Sequence, residues 1–572
     1  MVRTSLTSES IAAGRVPVNI RKMKYCGCLR ARPRVHVTPQ RRCDSVPGVK
    51  AEHWDWLVRG GRVLDGRGGA AVRADVALTG DRIAAVGDLS KAAVANEFDA
   101  AGRLVCPGFI DAHTHSDAYL LIEPGAPSKI RQGVTTEITG NCGASAAPRW
   151  PGYTMPADWL EQKYPGDWHS VAEYRALLTA QKPAVNSAML IGHRALRAAV
   201  MGIEPRAATT DEIVKMQKLL EAALEEGGAG LSTGLVYAPA MHARPEEIQA
   251  LAAVAARRGK IYATHMRSEG GALLEAIEET LDVARATGVR LQISHLKTAG
   301  RANWGKLEAA LEKIRAARKT GLEVASDRYP YTASCTDLDV ILPAWAAQGG
   351  RAAILARLRD PAEHAKIRAE MAAARDEKYW ENVWVGSTRH PDNAPFAGKP
   401  IAAAAEAWKL HPLDAALRLM ETDELFTGGI FFGTSEENMW RILAEPWVML
   451  GSDASLRAPW GPLSHDHPHP RAYGTCGRFL CAALDGKTVP AGEAVRKMTS
   501  LPAEQFRLKD RGVIRAGAFA DLVVLDPKTF RDRATYEQPH QFCEGLSAVW
   551  VNGVLTFRDG KDTGARGGRY LG

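Results

Sequence analysis

The sequence predicts an α/β fold: a closed parallel barrel of eight strand–helix units, a small sheet domain assembled from both chain ends, and an insertion before the last barrel strand. Three observations carry that prediction. Apolar β-like segments alternate with helical ones through most of the chain, and strand-and-turn text without helices recurs at its two ends. Metal-type side chains also stand at the C-terminal ends of successive predicted strands, where (β/α)8 TIM-like barrels place their chemistry.

The elements follow in chain order. Of the 572 residues, the first 50 hold 11 Lys plus Arg against two acids, Glu9 and Asp44. That segment carries a net +9 against +8 for the whole chain, so the body is close to neutral. Residues 1 to 50 lack clear periodicity and are expected to form a basic, disordered extension outside the fold, a composition shared with transit peptides, flexible arms and mis-assigned starts. Nucleic-acid binding would need cations clustered on a folded surface, and none is expected here. No run of about 18 apolar residues occurs, so neither a membrane span nor a membrane partner is expected, and the expected location is cytoplasmic. The nine cysteines do not suggest a disulfide framework in a chain of this length.

Residues 54 to 106 read as short strands between Gly-Asp turns, in DWLVRGGRVLDG, ADVALTGDRIAAVGD and ANEFDAAGRLVCPG. A matching set, GVIRAGAFADLVVLDP and LSAVWVNGVLTFRDG, returns in residues 511 to 572. Between them, residues 107 to 510 supply eight barrel strands: LVCPGFIDAHTH, VTTEITGNCG, NSAMLIGH, AGLSTGLVY, KIYATHM, RLQISHL, LEVASDRYPY and WVMLGSDAS. Helix punctuation lies between them. Thr209 and Glu212 form a capping box before IVKMQKLLEAALEE, Gly227 and Gly228 end that helix, and Pro245 opens the next. The stretch from about 332 to 445, between strands seven and eight, exceeds an ordinary crossover and is expected to hold an inserted subdomain.

In PGFIDAHTHSD, His113 and His115 are two apart on a strand and so share a face, where two imidazoles can bind one divalent metal. Alone, H-x-H is as easily a pair of ordinary strand histidines. Further ligand-type residues at successive strand ends change that balance: Cys142 in GNCG, His265 in YATHM, His295 in QISHL and Asp453 in GSDAS. Thiolate and imidazole together suit zinc, whereas an all-oxygen magnesium site would not select this set.

Taken in order, PGFIDAHTHSD, GVTTEITGNCG, THMRSE, QISHLKTAG, DRYPYTAS, RILAEPWVMLGSDAS, HPRAYGT and LPAEQFRLKDRG resemble the amidohydrolase superfamily, specifically its N-acyl-D-amino-acid deacylases or D-aminoacylases. The resemblance runs from about Trp54 to near the C-terminus. It implies a metal-dependent barrel carrying a small β-sandwich, with Cys142, His265 and His295 on a tight zinc and His113 and His115 at a second, weaker or partly occupied site. It further implies that Asp453 is the general base and then the general acid. The substrate would be a small N-acyl-D-amino acid, its carboxylate met by Lys297, Tyr329 and Arg471. The family cysteine stands where hydantoinases and dihydroorotases use a carboxylated lysine, and the fourth predicted strand here contains none.

Two departures from the family pattern bear on specificity. Ser334-Cys335-Thr336 stands where Gly-Ser-Thr is common, and SLRAPWGPLSHDHPHP is long, its three histidines reading as a rim segment rather than a metal site. His193 is expected to be a hydrogen-bonded structural residue. Two rival readings are a hydantoinase- or dihydroorotase-like cyclic amide hydrolase and a noncatalytic scaffold homologue. The absent strand-four lysine opposes the first, and the complete ligand set opposes the second. Oligomeric state and substrate side chain are not legible.

Overall fold

Eight parallel strands form the barrel in sequence order: Phe109–Asp111, Val134–Thr139, Asn186–Gly192, Gly230–Gly234, Ile261–His265, Arg290–Ile293, Val324–Arg328 and Val448–Leu450. The structure is a computed structural model that describes residues 54–149, 159 and 162–572. The basic tail, and the aromatic segment of residues 150 to 161 apart from Trp159, therefore lie outside the described residues. The eighth strand returns to the first through the Ala112 N–H on Leu450 O (3.3 Å) and a parallel bridge between Thr114 and Ala454. Closure brings Asp453 beside the two strand-one histidines.

Each strand is buried on both faces, as a barrel wall covered by helices requires. One apolar cluster, including Ile110, Ile138, Leu190, Ile261, Ala325 and Met449, fills the interior and is closed off by Ala503 and Phe506. A larger one joins the outer strand faces to the helices. The helix signals act as their chemistry dictates. Thr209 Oγ1 accepts from Glu212 N (3.3 Å) while Glu212 Oε2 accepts from Thr209 N (2.8 Å), capping helix Thr210–Glu225 from both sides. Pro245 opens helix Pro245–Arg257.

Strands from both chain ends form one nine-stranded sheet, joined where Leu522–Leu525 runs antiparallel to Leu104–Pro107. Their shared core packs Val58, Val76 and Phe98 against Leu522, Val524 and Trp550. Only LVVL of the predicted GVIRAGAFADLVVLDP is a strand. The preceding loop instead hangs on the sheet edge by Ile83 N to Ala518 O and by the Arg82–Phe519 bridge.

The insertion has its own core. Strands Ala333–Asp337, Gly428–Phe432 and Val383–Val385 make a small antiparallel sheet, against which helices Gly350–Arg359, Pro361–Ala374, Ile401–Trp408 and Pro412–Thr422 pack through Leu338, Ile354, Ile367, Trp380, Ile401 and Met420. The last helix before strand eight, Glu436–Ala444, belongs instead to the main core through Met439, Ile442 and Leu443.

One buried cation ties the barrel seam. Lys129 Nζ lies 3.0 Å from Asp111 Oδ2, 3.2 Å from Glu137 Oε1, and 3.2 Å from both Ser452 Oγ and Ala454 O, the residues flanking Asp453. Lys129→Met would leave two buried carboxylates without their counter-ion, and should lower unfolding free energy in denaturant titration by about 3–5 kcal/mol.

Candidate active site

The mouth of the barrel opens into a cavity of about 1240 Å³, lined by every sequence-predicted site residue except His113, which lies just beneath. Local backbone shape explains how the strand ends deliver them. Cys142 (φ +52°), His295 (φ +35°) and Asp453 (φ +52°) all adopt the left-handed region that ordinary residues avoid. Three such residues in one site mark conformations imposed by the surrounding fold. The Cys142 turn also needs a bare neighbour. A Cβ on Gly234, at the end of strand four, would sit 2.2 Å from Cys142 O, so the strand that lacks a lysine yields its space to the cysteine loop.

The ligand-type atoms converge. Cys142 Sγ is 3.3 Å from His113 Nε2 and 3.5 Å from His295 Nε2. Asp453 Oδ1 is 3.3 Å from His113 Nε2 and 3.1 Å from His115 Nε2, so the two strand-one histidines do share a face and meet at one oxygen. His113, Cys142, His295 and Asp453 thus present donor atoms within 4.8 Å of one another. A second group, His265, Glu269 and His295, shares His295 with the first, and the two imidazole rings lie 4.4 Å apart.

Charges are arranged for a cation. Burial works against the Cys142 thiolate, yet His113 and His295 outweigh it and hold the thiol well below its ordinary range. Burial likewise opposes charge on Asp453 and Glu269. Arg471 and the histidines hold the first well below the usual carboxylate range, and Lys297, His295 and His265 do the same for the second. Metal ligands must be deprotonated, and the Cys142 thiolate and the Asp453 and Glu269 carboxylates are favoured in that form. This sulfur, nitrogen and oxygen donor set fits zinc.

Outer partners fix the ligands. Glu269 Oε1 lies 2.7 Å from His295 Nδ1 and also pairs with Lys297 Nζ, which is itself 2.9 Å from His295 Nδ1. Asp327 accepts from His295 N (2.9 Å) and Gln292 Nε2 (2.8 Å), and its Oδ1 approaches His113 Nδ1 to 3.1 Å without hydrogen-bond alignment. Sequence reasoning missed Glu269, Asp327 and Lys129. Glu269 lies four residues after His265 within the quoted THMRSE motif and Asp327 opens the quoted DRYPYTAS motif, whereas Lys129 lies in no quoted motif.

Beyond the ligand cluster, Arg471 NH1 donates to Asp453 Oδ2 (2.8 Å) and NH2 to Cys335 O (3.1 Å). Its guanidinium lies 4.8 Å from the Tyr329 ring centre, and Lys297 Nζ lies 5.8 Å away. The Tyr329 hydroxyl is buried and lacks a hydrogen-bond partner among the described residues. Burial would raise its pKa, but Lys297, Arg328 and Arg471 bring it below the ordinary phenol value. Two of the three rim histidines are structural ties: His467 Nε2 meets Tyr536 O at 2.6 Å, and His469 Nε2 meets Ala333 O at 3.1 Å. His193 is buried with Nε2 at 2.8 Å from Glu247 Oε1, outside the cavity lining.

Comparison with known proteins agrees with this site. The model of the amidohydrolase family matches residues 96–557. A D-aminoacylase of Alcaligenes xylosoxydans xylosoxydans is 39% identical over 92% of this chain and 98% of its own. The chain belongs to the amidohydrolase family, on its N-acyl-D-amino-acid deacylase branch. An N-acyl-D-glutamate deacylase from the same organism is 38% identical over 88% of this chain and 94% of its own. The crystal structure of the N-acyl-D-glutamate deacylase of Bordetella bronchiseptica, complexed with zinc and a phosphonate mimic of the tetrahedral intermediate, superposes with a TM-score of 0.78 at 35% identity, covering 91% of this chain and all of that one.

Proposed function

We propose that this protein is a zinc-dependent deacylase that hydrolyses N-acyl-D-amino acids to a carboxylate and a free D-amino acid. The observation that carries the reading is the convergence of donor atoms of Cys142, His113, His295 and Asp453 within 4.8 Å of one another, with Arg471 bonded to Asp453. The metal roles are Cys142, His265 and His295 at a tight zinc, with His113 and His115 at a weaker second site. His295 is common to both donor groups and Asp453 stands between the strand-one histidines, while Cys142 lies closest to His113 and His295, and His265 groups with Glu269 and His295. Bound zinc would polarise the amide carbonyl and acidify water.

The protein's own residues do the rest. Arg471 engages Asp453 Oδ2 and leaves Oδ1, directed at the histidines, to take a proton from the attacking water. The same carboxyl then returns that proton to the amide nitrogen as the C–N bond breaks. The cations Lys297 and Arg471, with the Tyr329 hydroxyl as a neutral donor, form the end that receives the substrate carboxylate. The cyclic-amide reading is not favoured, since Gly234 and the cysteine loop fill the end of strand four. The six described cysteines are unpaired, which supports a cytoplasmic, reducing location.

The deciding experiment is a paired panel of N-acetyl D- and L-amino acids given to zinc-loaded protein. Selective cleavage of the D series is expected. Cleavage of neither series by protein with bound zinc would overturn the reading. Glu269→Gln should weaken zinc binding by about 10–100-fold in a chelator competition, because Glu269 orients His295 through Nδ1.

A further inference from the structure

His469 is almost fully buried, at 3% exposure, and both of its ring nitrogens are engaged. Nδ1 accepts the backbone N–H of Arg471 (3.0 Å), so the single ring proton resides on Nε2 and is donated to Ala333 O (3.1 Å). Ala333 opens the insertion strand whose Cys335 carbonyl receives Arg471 NH2. The imidazole therefore holds the backbone of Arg471 and the start of the very strand that holds its side chain. Tyr329, Tyr331 and Tyr536 pack around the ring at centroid distances of 6.4, 5.1 and 5.0 Å.

Two other His-Pro-X turns show which part of this is ordinary. His390 Nδ1 accepts from Asp392 N (3.3 Å) and His411 Nδ1 from Leu413 N (3.2 Å), both in the insertion and with side chains 44% and 36% exposed. The local turn is thus generic. The second bond, from a buried Nε2–H across to the insertion strand, is what distinguishes His469.

We propose that His469 is a positioning residue for Arg471, locked as the Nε2–H tautomer, that fixes the guanidinium between Asp453 and the substrate carboxylate by joining helix Arg471–Leu484 to the insertion sheet. The proposal rests on the deacylase reading, in which Arg471 serves both groups. It makes the insertion part of the catalytic geometry: displacement of strand Ala333–Asp337 would move Arg471 through two bonds at once.

A double-mutant cycle on zinc-loaded protein tests it with an N-acetyl-D-amino acid as substrate. His469→Ala should lower kcat/KM by about 10–100-fold, the scale of a misplaced positioning group, and mainly through KM. In an Arg471→Gln background the same change should cost almost nothing more, because the group it positions is gone. His469→Asn, whose Oδ1 can accept the same N–H, should recover part of the loss, and His411→Ala should match the wild type. Equal losses in both backgrounds, or none in either, would overturn the proposal while D-selective hydrolysis by the wild type still upheld the function. Zinc content measured beside each rate separates a positioning defect from loss of the metal site, and the asparagine variant answers the question if the alanine variant does not fold.

Discussion

Asp453→Asn is expected to cut kcat for N-acyl-D-amino acid hydrolysis by about two to four orders of magnitude, the range that a positioned acid–base group contributes. Bound zinc should stay near its wild-type content, since Cys142, His265 and His295 remain. Asparagine is the informative replacement for two reasons. It keeps the shape of the side chain between Arg471 and the histidines, and it tolerates the left-handed backbone (φ +52°) that alanine would strain. What it lacks is an oxygen able to carry a proton from water to the leaving nitrogen. Stopped-flow or steady-state assays with metal analysis on the same samples check both halves. A variant that retains more than a tenth of wild-type kcat would remove Asp453 from proton transfer.

The barrel was legible because short strand-like segments alternate with punctuated helices, and consecutive strands are neighbours in space. The insertion sheet was not. Its first strand, ASCTD, is half-exposed and carries no apolar alternation, and it pairs with a strand that closes only at Phe432. Such a pairing is decided by the Leu338, Ile354 and Trp380 core, which forms only once the helices assemble. The loop at 511–520 read as a strand because Val513, Ile514 and Phe519 mimic β text. Gly512 and Gly517, both at positive φ, break it.

Within the site, ligand-type residues at or just beyond strand ends were found from their placement, and those that act across elements were not. His113 and His115 follow from side-chain alternation alone. Glu269 reaches His295 from the loop after strand five, Asp327 reaches toward His113 from strand seven, and Lys129 joins strands one, two and eight. None of these pairings has a spacing that sequence could reveal. The left-handed backbones of Cys142, His295 and Asp453 are equally hidden, because nothing in a cysteine or histidine announces a conformation that only packing imposes.

Cys142→Ala should abolish tight zinc binding and activity together. Losing an outer partner of a ligand costs about 10–100-fold in metal affinity, and losing the thiolate itself should cost more than that. The thiol is held well below its ordinary range by His113 and His295, so it is one of the site's preformed anions, and its removal leaves imidazoles and carboxylates without the soft sulfur donor that suits zinc. Stability should report the same loss. Free zinc at 100 times its Kd stabilises the wild type by about 2.7 kcal/mol, and the variant should gain almost none of that in a thermal scan. Cys335→Ser is the matched control. Its thiol lines the same cavity, but only its backbone carbonyl, through Arg471, is tied to the site, so zinc content should be unchanged. If instead the alanine variant bound zinc as tightly as the wild type, the metal would have to rest on the histidines and carboxylates alone, and strand two would lose its role in the chemistry.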